Sequence, residues 1–130
     1  MKFLKQLVYI LITFFSVSIF SQSRDVKIKT TKITEQVYML VGQGGNIGLF
    51  IGEDGVFMID DQFAPLTPKI LAAIKTVTDK PVNYLINTHW HGDHTGGNLN
   101  MAKEGAIIVS HENVRKRMRM DQVVRGQKRK

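Results

Sequence analysis

Between His89 and His94 the chain sets three imidazoles and one carboxylate into six residues, His89-Trp90-His91-Gly92-Asp93-His94, and only His111 adds a further histidine. Imidazole nitrogen and carboxylate oxygen are donors that Zn²⁺ and similar borderline ions accept, so this density of donors points to a metal site. His89 and His91 stand two positions apart, and in extended backbone both rings project to one side and can hold one ion. Gly92 then permits a sharp bend that turns Asp93 and His94 toward a second, adjacent ion. Two ions about 3.5 to 4 Å apart would share a hydroxide, nucleophilic because the pKa of bound water falls from about 15.7 toward about 7. The opposing reading, surface histidines gathered by chance, does not explain why nearly all the histidine lies in this one window.

Neighbouring residues carry weaker signals. A metal-bound imidazole usually gives its other N–H to a carboxylate or carbonyl, a role for which Asp60, after an apolar strand, is a candidate. Asp61 competes for that role, and a solvated turn is the alternative for both. Asn87 and Thr88 can hydrogen-bond within the loop. Trp90 lies between two ligands and must point away from them, either walling a substrate cleft or plugging the core. His111 precedes Glu112 at a helix start, which favours a hydrogen-bonded structural histidine over a ligand.

The elements that must position these groups follow from pattern. Val26 to Ile33 alternates lysines with β-branched and apolar residues, as a half-exposed edge strand does. Val37 to Val41, Asn46 to Ile51 and Gly55 to Ile59, divided by Gly42, Gly44, Gly45 and by Glu53-Asp54-Gly55, predict an antiparallel meander. Ile70, Leu71, Ile74 and Val77 recur at helical spacing, with Thr67 as N-cap and Pro68 as first helical residue; Asp79-Lys80-Pro81 ends that helix. Val82 to Ile86 is a strand that runs into the histidine cluster, which therefore sits on a strand-to-helix loop. Gly96-Gly97-Asn98 turns the chain, Asn98 to Glu104 is a short helix, Ala106 to Val109 a strand and Glu112 to Met120 a helix. Strands alternating with helices predict an α/β domain.

Lys2 and Lys5 precede an apolar run from Leu7 to Phe20 and then Ser21-Gln22-Ser23, the layout of a secretory signal peptide. The run is shorter than the roughly 20 residues a spanning helix needs. Residues 1–21 are thus expected to be a cleaved leader, leaving residues 22–130 exported, periplasmic or secreted, with no stable membrane span. The net charge of +7 resides in the stretch from Arg115 to Lys130, with eight basic residues and one acid. That excludes a uniformly basic nucleic-acid-binding surface. Cysteine is absent, so thiols carry no information on compartment.

The run Thr88-His89-Trp90-His91-Gly92-Asp93-His94-Thr95-Gly96-Gly97-Asn98 resembles the metal-binding loop of the metallo-β-lactamase superfamily. The resemblance extends upstream through Asn46-Ile47-Gly48-Leu49 and the strand from Val56 to Ile59 that ends in Asp60, covering about Val37 to Met118. It implies a four-layer αββα sandwich of two similar halves, of which this chain would be the N-terminal half, residues 22–130 forming an incomplete domain. It implies that His89 and His91 bind a first zinc, that Asp93 and His94 bind a second, that Asp93 orients the attacking hydroxide, and that Asp60 supports them. The second half of such proteins supplies further ligands, for which this sequence has no matching positions. The chain would then offer two protein ligands per ion against the usual three, so the 130-residue chain alone should bind metal weakly and hydrolyse little.

The activity implied is zinc-dependent hydrolysis, with hydroxide attacking the carbonyl of a β-lactam or another small substrate of an exported compartment. Two other readings compete with it: a truncated, inactive fragment that lacks the second-half ligands, or a nucleic-acid-processing relative that uses the basic tail. For that tail a solvated helix face is the simpler account, and no nucleic-acid partner is expected.

Overall fold

The computed structural model describes residues 25–120 and two short strands, 122–124 and 127–129. The expected leader, residues 1–21, lies outside the described residues.

Six strands, β1 (Lys29–Lys32), β2 (Val37–Val41), β3 (Ile47–Ile51), β4 (Val56–Ile59), β5 (Val82–Asn87) and β6 (Ile107–Ser110), form one sheet in chain order. β1 to β4 pair antiparallel through short turns, and β2 to β4 are the predicted meander. β4, β5 and β6 are parallel, and parallel neighbours need a crossover between them. The first crossover is α1 (Thr67–Lys75). The second holds the short helices α2 (Gly92–Thr95) and α3 (Asn98–Lys103), and α4 (Glu112–Arg119) follows β6. Gln122–Val124 and Gln127–Arg129 pair as a separate ribbon. The α/β class is as expected, and among the described residues no helix is long and apolar enough to cross a membrane.

One face of the sheet is covered. Leu40, Ile47, Leu49, Val56, Met58 and Leu85 pack against Leu66, Ile70, Ile74 and Met101 from the helical side, and all are buried. The opposite face is apolar as well, because β2 to β6 are hydrophobic at most positions. Cross-strand register lines up Val37, Phe50, Phe57, Tyr84 and Ile107 in one row. Met39, Gly48, Ile59, Ile86 and Val109 make a second row. Phe57 stacks on Tyr84 with ring centroids 5.1 Å apart, yet Phe50, Tyr84, Ile107 and Val109 remain exposed. Strands apolar on both sides are those of a sheet buried on both sides.

Two local expectations are corrected. Thr67 is not the N-cap of α1: a 3-10 turn over Ala64–Leu66 runs straight into the helix, so Leu66 is already helical and Thr67 lies inside. The histidine cluster is not all loop, since Gly92 to Thr95 form a helical turn that follows directly on His91.

Candidate metal centre

Parallel pairing sets Ile59 beside Ile86, so the carboxyl ends of β4 and β5 deliver Asp60 and Asn87-Thr88 side by side. Sites in α/β proteins gather at such strand ends. Asp60, Asp61 and Gln62 follow β4 at once, and all three are buried rather than solvated. Asp60 and Gln62 hold positive φ, 61° and 57°, a conformation that costs a non-glycine residue about 1 to 3 kcal/mol. Hydrogen bonds hold it in place: the Asp60 N–H donates to the Ile86 carbonyl (3.0 Å) and the Asp61 N–H to the His94 carbonyl (3.1 Å). The alternation of conformations turns successive side chains to different sides of the strand end.

Asp60 faces the histidines. Its Oδ1 accepts from the Thr88 N–H (2.8 Å), and its Oδ2 from the Thr88 hydroxyl (2.7 Å) and from His94 Nδ1 (2.8 Å). Thr88 Oγ1 also lies 3.0 Å from His89 Nδ1. The Nδ1 nitrogens of both rings are thereby engaged, which leaves Nε2 of His89 and of His94 as the available donors. The rings are close, with centroids 3.9 Å apart. Asp60, His89 and His94 form a group whose ligand atoms all fall within 4.8 Å of one another. Asp93 meets this group through Oδ2, 3.5 Å from His94 Nε2. His91 is more exposed, its ring edge-on to that of His89 at 4.8 Å and to that of Trp90 at 4.6 Å. The tight group is thus built on Asp60, His89 and His94, with Asp93 beside it and His91 on its outer side.

The expected bend at Gly92 is a helical turn, and it does not use a glycine-only conformation. Gly92 has no positive φ, and a Cβ there would meet nothing within 4 Å. His94 and Asp93 come together because the Thr95 N–H bonds the His91 carbonyl (3.1 Å), closing the turn. The glycines that matter lie elsewhere. A Cβ on Gly45, in the loop between β2 and β3, would overlap the His94 ring, and one on Gly97 would lie 2.9 Å from Asp61 Cγ.

Behind the histidines runs a buried polar seam. Asn87 Nδ2 donates to the His94 carbonyl (3.1 Å), and Asn98 Nδ2 donates to Asn87 Oδ1 (2.8 Å). The Gly97 N–H donates to Asp61 Oδ1 (3.0 Å), while Asp61 Oδ2 and Asn98 Oδ1 are buried with no partner. Burial pushes the Asp61 carboxyl up from 3.8 to about 7; the Gly97 N–H opposes that rise and the nearby Asp60 adds to it. The raised pKa keeps the proton on this carboxyl up to near neutral pH, which lessens the charge left beside an oxygen that has no donor.

Gln62 escaped the sequence reading. Its Oε1 accepts from the Gln43 N–H (3.2 Å) and its Nε2 donates to the Gly45 carbonyl (2.6 Å), so it pins the glycine loop against the site. Nothing separates it by type from an ordinary turn residue after Asp60-Asp61. Its only signal is a third polar side chain immediately after an apolar strand. His111 caps α4, its Nδ1 accepting from the Asn113 N–H (3.1 Å), in line with a structural role. Trp90 is half-buried and lines a groove with Asn113, Val114 and Lys116 of α4.

Two imidazole Nε2 donors with a carboxylate beside them, the other ring nitrogens tied to acceptors, are a donor set that zinc accepts. A model of the metallo-beta-lactamase superfamily matches residues 40–130. A lactamase-like protein of Emericella nidulans is 34% identical over 76 residues, covering 52% of this chain and 25% of the relative. A metallo-beta-lactamase of Pseudomonas aeruginosa, solved in a mono-zinc form, aligns with TM-score 0.66 at 22% identity over 75% of this chain and 47% of its own. One from Cronobacter sakazakii aligns at 0.65 with 21% identity, over 71% and 37%. At such identities the solved structures speak to the fold. The chain spans about a quarter of the curated relative's length and less than half of either solved chain.

Proposed function

The chain belongs to the metallo-beta-lactamase superfamily, a superfamily of metal-dependent hydrolases, and from that membership we propose that it supplies half of a two-zinc hydrolytic site. The observation that carries this reading is the fixed placement of the rings: Nδ1 of His89 and of His94 each meets an oxygen, which leaves each Nε2 as the nitrogen available to a metal. We assign His89 and His91 to one zinc, and Asp93 and His94 to the other. Asp60 supports and does not ligate, because both its oxygens already accept hydrogen bonds.

Zinc held there supplies Lewis-acid polarisation of a carbonyl and a more acidic water. The chain's own residues do the rest. Asp93, half-buried beside His94, orients the attacking water. The glycine loop, pinned by Gln62, closes one side of the donors with backbone alone. Further ligands would come from a second sheet of the same architecture lying on the exposed apolar rows, which completes the αββα sandwich; two protein donors per ion fall one short of the usual three. The substrate proposed is a β-lactam or another small carbonyl compound of an exported compartment. Export rests on the apolar segment from Leu7 to Phe20.

Zinc titration of the full chain against a chromophoric chelator tests this reading. Weak, reversible binding that is lost in His89→Ala and in His94→Ala is the expected result, and a wild-type chain that takes up no more zinc than these variants would sink it. Turnover of a chromogenic β-lactam, set against a thioester and a lactone, then addresses substrate class.

A further inference from the structure

We propose that Thr88 is a positioning residue that fixes the tautomer of His89, so that one carboxylate, Asp60, orients two histidines: His94 directly and His89 through the Thr88 hydroxyl. The argument is a count of protons. A threonine hydroxyl has one hydrogen and two lone pairs, and a carboxylate has only lone pairs. Thr88 Oγ1 lies 2.7 Å from Asp60 Oδ2, so its single hydrogen is directed there. Toward His89 Nδ1, 3.0 Å away, Oγ1 can then only accept. Nδ1 of His89 therefore carries the hydrogen and Nε2 the lone pair.

The same carboxylate oxygen accepts from His94 Nδ1 at 2.8 Å, which leaves Nε2 of that ring as the donor too. The Thr88 backbone N–H, bonded to Asp60 Oδ1 at 2.8 Å, locks the hydroxyl in place from the other side. Free histidine in water favours the Nε2–H form, whose lone pair is on the wrong nitrogen for this site. Without the hydroxyl, His89 would revert toward that form while His94, bonded to Asp60 itself, would not. The tautomer is a property of the metal-free chain; its effect on zinc rests on the function proposed above.

Two-bond ¹H–¹⁵N correlation on the metal-free full chain, above the imidazole pKa, reads both rings. The wild type should show His89 and His94 as Nδ1–H. In Thr88→Val, His89 should become a mixture with Nε2–H while His94 keeps its form and so reports an intact site; Thr88→Ser should restore the wild-type pattern. Zinc affinity of Thr88→Val should fall about tenfold and recover in Thr88→Ser, the scale typical for partners of ligating histidines. A wild-type His89 found as Nε2–H overturns the inference with no variant needed, and so does a Thr88→Val spectrum identical to wild type. If the tautomer shifts as stated but the wild type takes up no zinc, the positioning role stands and the metal reading fails.

Discussion

Asp60 and Asp61 are adjacent, identical in type and both at least 96% buried, yet the molecule treats them in opposite ways. Asp60 accepts three hydrogen bonds and stands among histidines. Asp61 accepts one, from the Gly97 N–H, and its other oxygen has no partner. Burial alone therefore does not define a working carboxylate; the number of donors aimed at it does. The side that faces His94 is equipped to hold an anion beside cations. The side that faces Gly97 is equipped for a neutral acid that fills space and anchors the turn carrying the histidines.

The strongest way to break this contrast is Asp60→Ala. Three hydrogen bonds disappear at about 1 kcal/mol each, so the full chain should lose roughly 3 kcal/mol by chemical denaturation. Zinc affinity should fall by about 10- to 100-fold, since His94 loses its acceptor and Thr88 the carboxylate it answers to. Unchanged affinity in a folded Asp60→Ala chain would show that Asp60 does no positioning.

That contrast was only half visible in the sequence. The cluster from His89 to His94 is legible because its donors are local, and the order of strands and helices because periodicity and turn residues are local too. The pairing of Asp60 with Thr88 spans 28 residues and exists only once β4 and β5 lie parallel, so the sequence pointed to Asp60 through the family resemblance, with the chemistry of imidazole in support, and left a solvated turn open for both acids. Gln62 was missed for the same reason: its partners, Gln43 and Gly45, lie 19 and 17 residues away. The bend assigned to Gly92 was a misreading of what glycine does there. A Cβ on Gly92 would meet nothing, whereas Gly45 and Gly97, read as punctuation, are among the positions where a side chain has no room.

Those two glycines sharpen the comparison, because each presses on one of its sides. Gly45→Ala forces the His94 ring to move, and Gly97→Ala sets a methyl 2.9 Å from Asp61 Cγ and 3.1 Å from the Asp61 carbonyl oxygen. Overpacking of this kind costs about 1 to 3 kcal/mol, so both variants should lose similar stability. Zinc affinity should divide them, with the larger loss in Gly45→Ala. Equal losses would mean that the two sides of the strand end move as one unit.

The smallest effect expected is that of Asp61→Asn, and its value lies in its pH dependence. An acid raised from 3.8 to about 7 by folding keeps its proton in the native state while the unfolded chain has already lost it. Below about pH 4 both states are protonated and the group costs nothing. Between pH 4 and 7 the unfolded state binds fewer protons, so stability falls as pH rises, and above 7 the full penalty applies. Asparagine has the shape of the neutral acid and its carbonyl can still accept from the Gly97 N–H. The metal-free variant should thus match wild type at acid pH and exceed it by about 1 kcal/mol above neutrality, well short of the 1.4 kcal/mol per pKa unit that an unrelaxed site would give. Denaturation curves of both chains across that range decide it. An advantage that does not vary with pH would mean that Asp61 titrates alike in the native and unfolded states, and the distinction between the two neighbouring carboxylates would then rest on position alone.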